Sequence, residues 1–412
     1  MLKSSCDLLI IGGGPAGLAA AIAAKEAGVE DLLIVEREDY LGGILNQCIH
    51  DGFGLEIFKE SLTGPEYAAK FFSKVKKLRI PVMTKTMAIS MNQTKEIILS
   101  SKNKLLRLKA KAIILAMGCR ERTAAAIGIP GPRPAGIYTA GVAQNLINIR
   151  NIMIGKRVLI LGSGDIGLIM ARSLTLEGTQ VLAVVEILPY PSGLPRNIVQ
   201  CLEDFNIPLL LSHTVVNVEG DRRVDSVAIA RVGSRGGIVP GTKQRISCDT
   251  LLLSVGLISE NELSRQAGVI LDEKTLGPVV DENGETNIPG VFACGNVLQV
   301  HDLVDYATIE ARRVGESVAS YLMGRRKRGR RIRTQFGHGL RYLLPQWISD
   351  QNDVILSMRV NTPGKDKTLL IKDGKRLIKE VFYRSVNPAE MLRVRLKRED
   401  LYGIDGFKVT IR

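Results

Sequence analysis

Two glycine-rich turns of one design constrain what this chain can fold into. Gly12-Gly13-Gly14-Pro15-Ala16-Gly17 follows the apolar run 8–11, and Gly162-Ser163-Gly164-Asp165-Ile166-Gly167 follows the apolar run 158–161. Each turn opens an Ala/Leu-rich stretch that reads as a helix. Each is followed, nineteen residues after its last glycine, by an acid that closes another apolar strand: Glu36 and Glu186. The first glycine turns the chain off its strand, the second lets backbone approach a pyrophosphate, and the third lets helix and strand pack tightly. The helix N-terminus then offers free N–H groups to phosphates. The strand–turn–helix–strand–acid context, present twice, predicts two dinucleotides held at once. The closing acid accepts from a ribose 2′-OH and repels a 2′-phosphate. Glu186 is followed by Ile187 and Leu188 rather than Arg, so the second site favours NAD over NADP.

Later segments complete the first pocket. Leu41-Gly42-Gly43 lies just beyond Glu36, the run 112–116 ends in Met117-Gly118, and 286–296 ends in Ala293-Cys294-Gly295-Asn296. This set resembles the FAD-binding segments of two-dinucleotide-domain flavoproteins, the pyridine-nucleotide–disulfide oxidoreductase superfamily. The resemblance implies that FAD is held by Gly12, Gly14, Pro15, Ala16, Gly17, Glu36, Arg37, Gly42, Gly43, Ala116, Gly118, Gly295, Asn296, Asp302 and Leu303. It assigns NAD to Gly162, Gly164, Asp165, Gly167, Glu186 and Gly256. In that superfamily an Asp usually holds the ribityl chain where this sequence has Asn296; an amide still hydrogen-bonds a hydroxyl. A helix beginning near 302–304 would aim main-chain N–H groups at the flavin.

Three further stretches are more specific: 42–50, 118–141 and His301-Asp302-Leu303-Val304-Asp305. Together they resemble the FAD/NAD-binding subunits of multi-subunit glycerol-3-phosphate, sarcosine, proline and hydroxyproline dehydrogenases. That likeness implies an oxidoreductase exchanging a hydride with NAD(H) and electrons with a partner dehydrogenase subunit. Six scattered cysteines, without Cys-x-x-Cys or a Cys/His cluster, place any iron–sulfur cluster on the partner and predict no metal site. An alternative is a stand-alone NADH-dependent reductase of a disulfide, peroxide or quinone, with Cys48, five positions past Gly43, as the catalytic thiol. A nucleotide-binding subunit without catalysis is a third. His50 and His301 read either as flavin neighbours or as structural histidines. Arg120 and Arg122 read either as phosphate ligands or as bridges between domains.

The 412 residues are enough for two or three domains. The expected fold class is α/β: two Rossmann-like dinucleotide-binding domains, the second inserted in the first, plus a small β-rich C-terminal domain. The boundaries read as 1–130 with 256–324 for FAD, 131–255 for NAD, 325–334 for a basic linker and 335–412 for the last domain, which carries the lone Trp347. Half of the net charge of +14 comes from Arg325, Arg326, Lys327, Arg328, Arg330, Arg331 and Arg333. No aromatic interleaving accompanies them, so nucleic acid is not the expected partner, and charge this dense should be solvated. No apolar run is long enough to span a membrane, and the sequence reads as cytoplasmic.

Overall fold

The computed structural model describes residues 4–102, 104–326 and 329–412. Two compact units emerge: one runs up to Cys119 and resumes over Ser259–Arg412, and the other is Arg120–Ile258.

The first unit is built on a seven-stranded sheet. Its parallel part runs Val82–Met83, Leu32–Val35, Ser5–Ile11, Lys104–Leu115, with Val291–Ala293 beside the last of these. The N-terminal half of Lys104–Leu115 instead pairs antiparallel with Glu96–Ser101, which pairs with Thr86–Met91. The parallel strands are apolar throughout because helices or loops bury both faces. Pro15–Glu26 and Val304–Leu322 share one core on one face, where Leu18, Ile22, Val314 and Val318 meet. Gly315 makes that contact possible, since a Cβ there would sit 2.3 Å from the Ala20 carbonyl oxygen. Gly315→Ala is therefore expected to destabilise by about 1–3 kcal/mol through overpacking. A urea midpoint equal to wild type would show that the two helices can separate freely.

The last third of this unit is a β-sandwich. Five strands run in the order Trp347–Ser349, Arg331–Phe336, Gly406–Ile411, Gly364–Asp373, Arg376–Val386. They share a core with Leu340–Leu344, Val354–Val360 and Leu392–Leu396. Leu340–Leu344 has two buried faces. Leu340 and Leu343 enter the sandwich core, while Tyr342 and Leu344 enter the core of the nucleotide-binding sheet beside Leu9, Ile113, Val297 and Leu298. This shared packing is why residues 335–412 cluster with the first unit rather than standing alone.

The basic segment also differs from a free linker. Arg326 pairs with Asp281 and Glu285, and Arg330 with Asp405. Arg331 lies over the Trp347 ring at 3.9 Å from its centroid, and its strand has already begun. Arg326 alone of the described basic residues here is drawn in by acids distant in sequence; Arg325, Arg330, Arg331 and Arg333 are exposed, as charge this dense requires. Lys327 and Arg328 lie outside the described residues.

The second unit has a five-stranded parallel sheet in the order Leu209–Leu211, Gln180–Glu186, Arg157–Leu161, Thr250–Leu253, Ile137–Thr139. Its helices include Asp165–Leu176, and an antiparallel sheet of His213–Glu219, Ser226–Arg231 and Gln244–Ser247 completes it. The Pro/Gly-rich stretch 128–136 belongs wholly to this unit. Pro130 accepts from the Val218 N–H at 3.1 Å, and a Cβ on Gly131 would lie 2.3 Å from the Val218 oxygen. The division accordingly falls before this stretch, not within it.

Candidate functional site

Ile11 pairs with Leu115, and Leu115 with Ala293, so three parallel strands end level. Gly12, Ala116 and Cys294 follow at that edge, the carboxyl end where open α/β sheets bind ligands. Gly12 has φ of +109° and lies so near the Ala116 carbonyl oxygen that a Cβ would be 2.4 Å from it. A Cβ on Gly17 would be 1.9 Å from the Gly12 oxygen. Gly14, by contrast, faces open space at the start of Pro15–Glu26, with Pro15 in the first turn. Gly118 faces open space too. The tight glycines close the turn and the open ones leave a cradle, which fits a pyrophosphate.

The loop 41–43 runs along this turn. Gly42 donates to the Gly13 oxygen at 2.8 Å, and a Cβ on Gly43 would approach Gly14 Cα at 3.3 Å. Glu36 is buried, accepting from the Gly13 N–H at 2.7 Å and the Glu38 N–H at 2.9 Å. Its carboxylate is thereby fixed at the rim. Arg37 points elsewhere: its exposed side chain pairs with Glu38 at 3.6 Å.

Gly295 packs on Ala16 so closely that a Cβ added to it would fall 2.6 Å from that of Ala16. Asn296 follows, and its environment departs from a simple ribityl contact. Asn296 Oδ1 accepts from the His301 main-chain N–H at 3.0 Å and faces His301 Nδ1 at 3.3 Å, which leaves Nδ2 toward Cys119 Sγ at 3.5 Å. The other imidazole nitrogen, Nε2, lies 3.4 Å from Glu310 Oε2. Glu310 also accepts from the Gly295 N–H and from Gln299 Nε2, both at 2.8 Å. Burial acts to raise the Glu310 carboxyl. The charge of His301 and these donors outweigh burial and hold it below its ordinary value. Both ring nitrogens of His301 thus face acceptors, so this histidine is built into the loop that carries Asn296.

Asp302 and Leu303 lead into the helix Val304–Leu322. The Asp302 side chain is buried against Arg359 at 3.5 Å and accepts from the Met391 N–H at 3.2 Å, so its carboxylate ties this stretch to the β-sandwich. Leu303 precedes helix Val304–Leu322 and supplies the carbonyl that accepts from the Tyr306 N–H. Asp305, in that first turn, is buried and accepts from the Gly54 N–H at 3.1 Å, tying down the loop after His50. His50 itself faces the Asp51 carbonyl at 3.0 Å and stacks on Phe53 at 4.9 Å.

Cys48 is packed among its neighbours. Its Sγ donates to the Ile44 oxygen at 3.3 Å, and Gly64 packs against it so closely that a Cβ would lie 2.9 Å from that of Cys48. Burial pushes its thiol up to about 12. The thiolate is the nucleophile, so burial works against a reactive thiol here. None of the six cysteines is in a disulfide. Cys48→Ser is expected to leave flavin content and NADH-driven turnover unchanged; a collapse of turnover with flavin retained would return the thiol to the reaction.

The second cradle repeats the first with different details. Gly162, at φ of +95°, abuts the Ser254 carbonyl, and Gly167 donates to Ser254 Oγ at 3.1 Å. Glu186 is buried, as Glu36 is, and accepts from the Ser163 N–H at 3.0 Å, Ser163 Oγ at 2.6 Å, Ser192 Oγ at 2.9 Å and the Leu188 N–H at 3.0 Å. Exposed Ile187 follows it, an apolar edge beside the acid. Asp165, in the first turn of its helix, accepts from the Leu194 N–H at 2.8 Å and Asn197 Nδ2 at 2.6 Å, and so holds the start of helix Pro195–Cys201. Gly256, at φ of +97°, accepts through its oxygen from the Arg122 N–H at 3.0 Å.

Sequence reasoning missed Glu310, Gln299, Ser163 as a side chain, Ser192 and Ser254. Only Ser163 carries a local signal, its place between two fingerprint glycines.

A model of the pyridine nucleotide-disulphide oxidoreductase family matches residues 6–311. Among curated proteins, the F subunit of the alkyl hydroperoxide reductase of Pseudomonas aeruginosa is 28% identical over 309 residues, 72% of this chain and 54% of the relative. The NADH dehydrogenase of Bacillus subtilis is 25% identical over 297 residues, 71% of this chain and 54% of the relative. The chain thus spans about half the length of these relatives. The thioredoxin reductase of T. acidophilum superposes with a TM-score of 0.64 at 24% identity, covering 77% of this chain and 99% of its own. Among the described residues, no helix is long and apolar enough to cross a membrane. With two cradles of the expected build and a family match across them, the chain belongs to the pyridine nucleotide-disulphide oxidoreductase family, whose members are oxidoreductases that bind FAD and a nicotinamide nucleotide.

Proposed function

We propose that this protein is an NADH-dependent flavoprotein reductase that passes electrons to an acceptor of the peroxide, disulfide or quinone class. The observation that carries the reading is the twinned geometry of the cradles. In each, a buried glutamate accepts from the N–H of the second fingerprint residue, Gly13 at 2.7 Å and Ser163 at 3.0 Å, and so stands ready at a ribose. FAD, when bound, supplies the hydride chemistry; no protein acid or base is needed for that step. Gly12, Gly14, Pro15, Ala16 and Gly17 would hold the flavin pyrophosphate, with Glu36 on its ribose and Gly42, Gly43, Ala116, Gly118, Gly295 and Asn296 around the rest. Gly162, Gly164 and Gly167 would take the nicotinamide nucleotide's pyrophosphate. Glu186 beside apolar Ile187 would favour a free 2′-OH.

The relatives named for alkyl hydroperoxide reductase and NADH dehydrogenase support a reductase. A second reading, exchange with a partner dehydrogenase subunit of the kind that carries an iron–sulfur cluster, is favoured by one observation. Burial pushes the Cys48 thiol up, and the sequence carries no Cys-x-x-Cys pair, so electrons would leave the flavin directly or onto another chain.

An anaerobic titration of FAD-loaded protein separates these. Stoichiometric bleaching by NADH, much weaker by NADPH, followed by turnover with peroxide, disulfide or quinone alone, is the expected result. Bleaching without turnover on any of them favours the partner subunit. A flavin that NADH leaves oxidised would sink the reductase reading.

A further inference from the structure

The loop 294–303 is gripped from both sides. Toward the first cradle it carries Gly295, Asn296 and His301. On its far side it meets the β-sandwich, which lies beyond the family match ending at residue 311. Arg359, on strand Val354–Val360, is the centre of that grip. Its Nη2 donates to the Val300 oxygen at 3.1 Å and reaches Asp302 Oδ1 at 3.5 Å. Its Nη1 donates to the Pro388 oxygen at 2.8 Å and to the Ala389 oxygen. Asp302 takes a further bond from the Met391 N–H at 3.2 Å. The Arg359 and Asp302 side chains are only 12% and 6% exposed. Tyr342 and Leu344 of the sandwich pack in one core with Val297 and Leu298, the residues directly after Asn296.

This is more than a surface latch requires. A guanidinium presents five donors in a rigid fork, and here the fork spans acceptors on two loops at once. It fixes the main chain at Val300 and the side chain at Asp302, on either side of His301. His301 in turn fixes the orientation of the Asn296 amide and shares Glu310 with the Gly295 N–H.

We propose that the C-terminal sandwich is a positioning element of the flavin site, with Arg359 holding residues 300–302 so that His301 and Glu310 set Asn296 and Gly295 against the first cradle. The proposal rests on FAD occupying that cradle. His301 holds Asn296 Oδ1 and leaves Nδ2, the side chain's donor, toward Cys119 Sγ, and Arg359 keeps His301 in the place that sets this orientation.

The test uses the full chain with FAD as the probe. Arg359→Met, Arg359→Lys and Arg376→Met are compared by FAD dissociation constant, flavin midpoint potential and thermal unfolding. Arg376 sits on the same sandwich and bonds the Tyr402 carbonyl at 3.1 Å, away from the loop. Arg359→Met is expected to weaken FAD at least tenfold and to move the potential, Arg359→Lys to recover part of both, and Arg376→Met to change neither. Combining Arg359→Met with Asn296→Ala should add little to either single loss, since both act through one contact. Should Arg359→Met fail to fold, Asp302→Asn must weaken FAD in the same direction. Unchanged affinity and potential with only a lower melting temperature would overturn the proposal and leave Arg359 a packing residue. A wild-type chain that takes up no FAD would overturn the cofactor reading and this proposal with it.

Discussion

Gly17→Ala should yield a protein without its first cofactor and with much of its stability gone. The added Cβ would lie 1.9 Å from the Gly12 carbonyl oxygen and 3.0 Å from its carbon. No flexible side-chain tip is available to yield; the obstacle is backbone. Relief requires the helix Pro15–Glu26 to back away from the strand Ser5–Ile11, which breaks packing at Leu18 and Ile22 in the core. It also drags Ala16 from Gly295 and opens the turn that presents Gly14. Overpacking of this kind costs about 3 kcal/mol or more, and the helix N-terminus no longer points its N–H groups at one place. Colourless purified protein, with a urea midpoint well below wild type, is the expected result. Yellow protein of normal stability would mean the turn tolerates a wider geometry than the glycines imply. Gly14→Ala is the contrasting case. Its Cβ meets nothing within 4 Å, so the fold should stand while the new methyl crowds the cradle itself, and loss of FAD at unchanged stability is expected.

That contrast shows which parts of the site could be read from sequence. A fingerprint glycine answers to neighbours a few residues away, so its spacing carries its meaning. The closing acids Glu36 and Glu186 lie at the end of an adjacent strand, and their distance from the turn is set by one helix. These parts are local and legible. Other residues also answer to distant partners. Asp302 lies next to His301 in a stretch that resembles flavin-binding relatives, yet its partners Arg359 and Met391 lie in a sandwich that carries no motif. Asp165 sits inside a fingerprint, yet its carboxylate also holds the start of helix Pro195–Cys201, which only the tertiary structure reveals. Within the basic run near 330, only Arg326 gave no sign of its burial, because its counter-charges, Asp281 and Glu285, lie elsewhere in the chain. Glu310 was invisible for a related reason. A lone acid in an amphipathic helix reads as solvent-facing, and only the packing of residues 295–301 over that turn buries it.

Glu310→Ala should destabilise the protein by about 3–5 kcal/mol, because it leaves a buried partner uncompensated. The side chain is only 10% exposed and serves His301, the Gly295 N–H and Gln299 together. The pH dependence identifies the cause. Burial alone would raise the carboxyl, but His301 and the donors hold it below 4.5 in the folded chain. As pH falls, the unfolded chain takes up its proton first. The stabilisation is therefore complete above about 4.5 and is lost as pH drops through the lower folded value. Glu310→Gln keeps the shape and one acceptor while removing that titration. Wild type should exceed Glu310→Gln in stability at neutral pH, and the two curves should converge on acidification. A gap that stayed constant into acid would mean that the carboxylate charge contributes nothing and that shape alone holds residues 295–301 in place. The same variant bears on the flavin: if Glu310 orders the Gly295 N–H and His301, Glu310→Gln should loosen FAD at neutral pH and lose that difference in parallel with the stability gap.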